Sequence, residues 1–414
     1  MKILIYSANF FPEETGIGKY SGEMALWLAK SGHEVRVIAA PPHYPSWKIK
    51  GEYLLRPFAT DRLGDITVYR APLLLFGKPR GASRALSMLS FSLLSIPQLL
   101  RQVIWRPDLV FTVAPYISCA PGGHVFAKLV RARSWLHVQD FEVDIAFGMG
   151  QLRGKRLERL SKRIETAIFK RFDRVSTISS AMLSRLHAKG VEASRTVLLP
   201  NWADTEGIRP LQSRSSYRDA LCISAEAKVF LFSGTLGEKQ GLDIIPAAAE
   251  ILSHRTDIIF VICGDGVMKP FLQEKAKSLT NIRMLPLQPV NKLGELLGLA
   301  DVHLLPQSGN AEDLVLPSKI TGMLSSGRPV AAACSPSSEI AKVISGCGLI
   351  SPPGDAASLA RNLVRLADDH KLCVDFGAKA RHYAERHISI SSVLGSFVDE
   401  ATRLIMDPRE SLAE

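Results

Sequence analysis

The chain has 414 residues, 46% hydrophobic and 22% charged, a balance that predicts two or three globular domains with large cores and excludes a disordered or fibrous chain. Residues 1–200 hold 29 Lys/Arg against 15 Asp/Glu, a net of +14, and the remaining 214 hold 22 against 25, a net of −3. A basic half joined to a near-neutral half predicts one domain that meets an anionic surface or substrate.

In chain order, the strand candidates of the first half are KILIYS, EVRVIA, ITVYR, DLVFTV, SWLHV, RVSTIS and TVLL. Those of the second half are KVFLFSG, DIIFVICG, NIRMLP, DVHLLP, PVAAA and GLISP. Helical patterns such as Tyr20–Lys30 and Leu242–Ser253 lie between most of them. Apolar runs without clean alternation predict strands covered on both faces, hence parallel α/β sheets. The polar stretch from Asp204 to Ser216 breaks the rhythm and reads as a linker between two doubly wound domains with a ligand cleft between them. The expected domains are 1–203 and 204–387, with a closing helical segment 388–414. The six cysteines (Cys119, Cys222, Cys263, Cys334, Cys347, Cys373) form no CxxC pair, and the N-terminus reads as a strand rather than a leader. Both observations predict a cytoplasmic protein.

The first glycine cluster, Gly16-Ile-Gly18-Lys-Tyr-Ser-Gly22, comes close to a dinucleotide fingerprint but fails two checks. Asn9 to Thr15 separate it from the first strand, and the second strand runs into Ala39-Ala40-Pro41-Pro42 instead of an acidic ribose ligand. A nicotinamide redox enzyme is therefore disfavoured. What remains is a glycine-rich loop at a helix start, suited either to close approach of a phosphate or sugar or to a tight turn.

His137 closes the SWLHV run, with Asp140, Glu142 and Asp144 following. The C-terminal edge of a strand is where an α/β sheet presents ligand-binding groups, although a histidine hydrogen-bonded in place fits the same pattern. Gly234-Thr-Leu-Gly237-Glu-Lys239-Gln-Gly241 follows the first strand of the second half, where Lys239 and backbone N–H groups suit a phosphate. Gly264-Asp265-Gly266 marks either a close backbone approach or a plain turn. Pro317-Ser318-Lys319 predicts a helix beginning near Ser318 that presents a lysine and unpaired N–H groups to a diphosphate. No Asp-x-Asp cluster, HExxH motif or Cys/His array occurs, so the expectation is chemistry without a metal or other cofactor.

Two segments have membrane-facing features. ALSMLSFSLLSIPQLL, residues 85–100, is apolar on most faces but short for a span, and reads as a core helix ahead of an interfacial one. Residues 152–171 carry an apolar stripe beside eight basic residues, a pattern that suits anionic lipid headgroups and also a packed helix with a solvated cationic face.

The ordered set PE-x-TG-x-G-x-Y, SGHEV, LHVQDFEVD, VSTISSAM, LLPNWAD, FSGTLGEKQGLD, FVICGDG, DVHLLPQ, LPSKITGMLSSGRPV and CGLISPPGD resembles the retaining GT-B glycosyltransferases of family 4, specifically the bacterial exopolysaccharide branch with its colanic-acid-type fucosyltransferases. The resemblance implies two facing Rossmann-like domains. A nucleotide diphosphate sugar would be the co-substrate on the C-terminal domain, and a lipid-linked saccharide the acceptor on the N-terminal one. The site would lie at the inner face of the cytoplasmic membrane. It further implies that His137 contacts the donor sugar, that Asp140 positions the acceptor, and that Lys319 lies near the diphosphate. The chain departs from the family at Thr235 and Gln240, where an Arg and a Lys are usual, and at Gly322 and Leu314, where glutamates are usual; Glu312 and Asp313 stand near the latter. A GT-B epimerase is the alternative within enzymes. A nucleic-acid-binding protein is disfavoured, because no stacking platform or reader motif accompanies the basic half.

Overall fold

A computed structural model describes residues 1–13, 16–49, 51–77, 81–148, 154–308 and 317–407. The chain divides into two compact units, Met1–Pro200 together with the segment from Leu394, and Asn201–Val393. The first unit is built on eight strands: β1 (Lys2–Tyr6), β2 (Glu34–Ala39), β3 (Thr60–Leu63), β4 (Ile66–Arg70), β5 (Leu109–Ala114), β6 (Arg133–Val138), β7 (Arg174–Thr177) and β8 (Thr196–Leu198). Their order across the sheet is β3-β4-β2-β1-β5-β6-β7-β8, all parallel except the β3–β4 pair. The second unit has β9 (Lys228–Ser233), β10 (Ile258–Cys263), β11 (Ile282–Leu285), β12 (Val302–Pro306), β13 (Val330–Ala333) and β14 (Gly348–Ser351). They form an all-parallel sheet ordered β11-β10-β9-β12-β13-β14.

Every apolar run read as a strand forms one, because helices cover both faces of each sheet and leave no need for alternation. β5 is buried at all six positions. The strand not foreseen, β3, has the sequence TDRL and is half exposed at the sheet edge. Its antiparallel place beyond β4 leaves one side unpaired, so short polar residues suffice there. In both sheets the strand order reverses direction once, between β1 and β5 and between β9 and β12. These switch points open a crevice at the carboxyl ends of the strands.

The stretch 204–216, read as the linker between the domains, lies at the start of the second unit and is held on it. Arg381 donates to Ile208 O at 2.7 Å and to Thr205 O at 2.9 Å, and Ser216 N donates to Glu295 at 2.7 Å. Residues 85–100 form neither one buried core helix nor a span. They lie in helices Gly81–Leu94 and Ile96–Leu100, with Met88, Phe91 and Leu99 buried and Leu86, Leu89, Leu93, Ile96 and Leu100 exposed by 44–58%.

The final helix, Ile390–Met406, carries its Leu394–Met406 part into the first unit. Phe397 is 1% exposed and meets Phe111 and Trp135 with ring centroids 5.2 and 4.9 Å away. Arg174 pairs with Glu400 at 2.9 Å. This helix therefore covers one face of β5–β7, while the opposite face packs against the helix Ala120–Val130 through residues such as Leu136 and Val138.

Candidate functional site

At the switch point of the first unit, β1 runs into Ser7–Glu13, and β5 into Pro115–Cys119. The Glu13 side chain is 1% exposed and accepts hydrogen bonds from Asn9 Nδ2, His43 N and Tyr44 N, each at 2.9 Å. His43 in turn bonds Tyr116 Oη through Nε2 at 3.0 Å and lies 3.4 Å from Glu13 through Nδ1. Burial lowers the His43 pKa, opposed by the Glu13 charge. This network ties the loops after β1, β2 and β5 into one rigid rim.

The glycines of the opening motif serve that rim. The helix runs Gly16–Lys30 and thus begins before Tyr20. Gly18 and Gly22 lie inside it: a Cβ at Gly18 would stand 2.5 Å from Glu13 Cβ, and one at Gly22 would stand 3.1 Å from Phe11 Cβ. Their small size admits the Phe11–Glu13 loop, which corrects the expectation that Gly18 makes room for a ligand. Gly16, with φ +58° and only Tyr44 near it at 3.7 Å, keeps an open face toward the rim.

The acidic cluster after β6 divides by environment. Strand β6 extends through Val138, so His137 lies within it and not beyond its edge. Alternation turns His137 to the face covered by the last helix. There it is 5% exposed, hydrogen-bonds Ser176 Oγ at 2.8 Å, and stacks on Phe111 at 5.6 Å. Burial pushes its pKa down to about 3. The expectation that His137 contacts the sugar is thus corrected in favour of a core histidine held neutral by its surroundings.

The residues that emerge from the strand are Gln139 and Asp140. Burial raises the Asp140 pKa, with Arg84 opposing. Glu142 lies beside them, accepting from Ile117 N and Arg84 Nη2, both at 3.4 Å. Burial pushes its carboxyl up to about 8, again opposed by Arg84. Asp144 behaves differently. Burial disfavours its charge, but Lys189 and Arg185, both at 3.0 Å, and Lys162 at 3.7 Å outweigh that and hold its pKa below the ordinary value. Asp144 is a structural clasp, whereas Asp140, Glu142 and Arg84 are available for hydrogen bonds to a hydroxyl-bearing molecule. Arg84 and His43 were not foreseen, because their partners lie 58 and 73 residues away in sequence.

In the second unit, the switch point joins the loop after β9 to that after β12. Gly241, in the left-handed region at φ +61°, lies so close to Gln307 that a Cβ would meet its carbonyl carbon at 2.9 Å. Lys319 begins the helix Lys319–Ser325 after Pro317 and Ser318. Its Nζ donates to Gln240 Oε1 and stands 4.4 Å from the centre of the Phe232 ring. Its Cδ lies 3.5 Å from where a Gly234 Cβ would be. Lys319 therefore reaches across to the 234–241 loop, and Gly234 leaves space for its stem. Burial lowers its pKa to about 8, so the ammonium is held short of a counter-charge. Gln240, at the usual lysine position, is its hydrogen-bond partner.

Gly237 precedes the short 3-10 turn Glu238–Gln240, and a Cβ there would touch the Gln240 and Thr235 side chains at 4.0 Å. Gly264 and Gly266 serve a close approach of one loop backbone to another. A Cβ on either would clash with backbone, Gly234 O at 1.9 Å and Leu236 O at 2.5 Å, so these glycines let the loop after β10 back the loop after β9. Ser318 makes no side-chain cap. The Lys239 side chain, and Glu312, Asp313 and Leu314 entirely, lie outside the described residues. Gly322 packs against Leu297 and Ile208, so a glutamate side chain there would meet apolar core.

A pair of doubly wound sheets, one presenting carboxyl groups and the other a partly desolvated lysine over a glycine loop, is the arrangement of the two-domain GT-B transferases. Comparison with known proteins agrees. Residues 15–202 match the model of the glycosyl transferase 4-like domain, and residues 227–369 that of glycosyl transferases group 1. The chain is 36% identical over 410 residues to the colanic acid biosynthesis glycosyl transferase WcaI of Escherichia coli (strain K12), spanning 97% of this chain and 99% of that one. It belongs to this glycosyltransferase family. Among solved structures, sucrose-phosphate synthase from Thermosynechococcus elongatus superposes with TM-score 0.70 at 15% identity, over 97% of this chain and 98% of that one. Anabaena HepE in complex with UDP gives 0.68 at 15% identity, over 97% and 100%. At such identities the likeness shows the fold.

Proposed function

We propose that the enzyme transfers a sugar, with retention and without a metal ion, from a nucleotide diphosphate sugar to a lipid-linked oligosaccharide in the assembly of an exopolysaccharide of the colanic acid type. The observation that carries this reading is Lys319 over the Gly234–Gly241 loop at the β9/β12 switch point. A cation partly stripped of water gains most from the negative charge that grows on a departing diphosphate. Its stabilisation replaces the Arg and Lys that related chains place on the loop. The UDP complex of HepE and the colanic acid role in the name of WcaI support the donor class and the pathway class. Asp140 and Glu142 suit the acceptor side, where a carboxyl group orients the attacking hydroxyl.

Surface chemistry supports work at a bilayer. No helix among the described residues is long and apolar enough to cross a membrane. The helix Lys155–Phe169, however, exposes Leu157, Leu160 and Ile164 by 46–55% between basic residues, and the helices from Gly81 to Leu100 expose a second apolar row. The test of the reaction is transfer of labelled sugar from a panel of nucleotide diphosphate sugars to lipid-linked acceptor, with and without EDTA. Transfer that persists in EDTA supports the reading. Loss restored by Mg²⁺ or Mn²⁺ overturns its metal-independent part, and failure of every donor overturns the whole.

A further inference from the structure

The second unit has a cavity of about 490 Å³ at the end of its sheet opposite the candidate donor loop. Its walls include Lys228, Asp301 and Pro329, which stand at or just before the first residues of β9, β12 and β13. The donor-loop residues follow the last residues of β9 and β12. At about 3.3 Å per residue the six-residue β9 holds the two places roughly 17 Å apart, so occupancy of one leaves the other free.

The charges lining this cavity do not cancel. Asp301 is taken up by Arg218 at 2.9 Å and by Val229 N at 2.8 Å, and Glu385 by Arg381 at 2.6 Å. That leaves Lys228 and Arg328. Among the described residues the Lys228 ammonium makes no hydrogen bond or ion pair. Arg328 makes one weak contact, Nη2 to Gly298 O at 3.4 Å, and its Nε is buried with no partner at all. A buried guanidinium N–H without an acceptor is rare in a folded protein and marks a place where an acceptor is missing. His370 and His382 line the same space and add donors. Phe230, Val302, Leu366 and Val374 supply apolar wall. The volume is that of a small-molecule site.

We propose that this cavity is a second ligand site, which binds an organic phosphate of mononucleotide size or smaller. The phosphate oxygens accept from Arg328 and Lys228, and the body of the molecule lies against the apolar wall. A planar guanidinium and a point-charge ammonium together match a phosphate's several oxygens.

The test is titration calorimetry with AMP and with glucose 1-phosphate on the full chain carrying Lys319→Ala, which weakens binding at the donor loop. Saturable binding is expected for at least one probe. Arg328→Gln or Lys228→Gln in that background should weaken it by about tenfold or more, the worth of one charged hydrogen bond. Val374 is 56% exposed, so Val374→Trp at the cavity wall should block the site without disturbing the fold, as an unchanged melting temperature would show. Absence of saturable binding by either probe overturns the proposal. Binding that survives all three substitutions overturns it as well, since the anion then sits elsewhere.

Discussion

Two titrating side chains, Lys319 and Glu142, make the most direct statements about chemistry. Lys319 is held at about 8 by burial, well below a free lysine, so near pH 8.5 much of it is neutral until an anion arrives. Binding of a nucleoside diphosphate at the loop should raise its pKa and draw in a proton. Calorimetry in two buffers of different ionisation enthalpy should show that uptake at pH 8.5. Lys319→Ala should abolish it and cut turnover by about a hundredfold, the scale of one lost electrostatic stabiliser. Lys319→Arg, always charged, should show no uptake while keeping part of the turnover. Uptake that persists in the alanine variant would remove Lys319 from the diphosphate. For Glu142 the sign runs the other way. Its folded-state pKa of about 8 lies above the ordinary 4.5, so the protonated form favours folding, and its contribution is lost as pH rises from about 4.5 to about 8. Chemical unfolding of wild type and Glu142→Gln across that window should show the wild type losing stability relative to the variant, with the difference levelling off above about pH 8. A constant difference would mean that Glu142 is ionised throughout.

The elements divide by how local their causes are. Parallel strands such as β5 and β10 were legible because burial on both faces demands unbroken apolar runs. β3 was not, because an edge strand needs neither. The place of Lys319 at a helix start was legible through the proline two residues before it. The Glu13–His43–Tyr116 rim was hidden, since its members meet only when three separate strand ends converge. His137 shows how one residue of register matters: with β6 ending at Val138, its side chain turns from the edge into the core. The helices from Gly81 to Leu100 carry the element-scale prediction. Their outward row, Leu86, Leu89, Leu93, Ile96 and Leu100, exceeds the scattered exposure usual for a monomer. It belongs to a half with net charge +14. Flotation with acidic liposomes should recover the protein, less so as salt rises. Leu89→Asp with Leu93→Asp should weaken the liposome affinity by more than tenfold, about 0.8 kcal/mol being lost per buried CH₂ withdrawn from lipid. Equal recovery by neutral and acidic liposomes would remove the electrostatic part, and unchanged recovery of the double variant would remove this row.

At the scale of the whole molecule, the first unit is discontinuous: its sheet comes from Met1–Pro200, while the helix over β5–β7 comes from beyond Leu394. Residues 1–200 made alone should therefore expose Phe111 and Trp135, bind a hydrophobic dye and self-associate. Adding residues 390–407 in trans, with Phe397 and Glu400 to fill the gap, should reduce both. A monomeric 1–200 fragment with native near-ultraviolet dichroism would show that the helix is dispensable. The same connectivity sets a timetable during synthesis. The second unit is contiguous, so it can complete its fold while the ribosome still holds the last helix. The first unit, although its sheet is translated before the second unit, stays open along one side until the helix Ile390–Met406 emerges. For the time needed to translate roughly 200 residues, about 10–40 s, its aromatic face is a surface that a chaperone would recognise. The half of the enzyme made first is thus the half finished last.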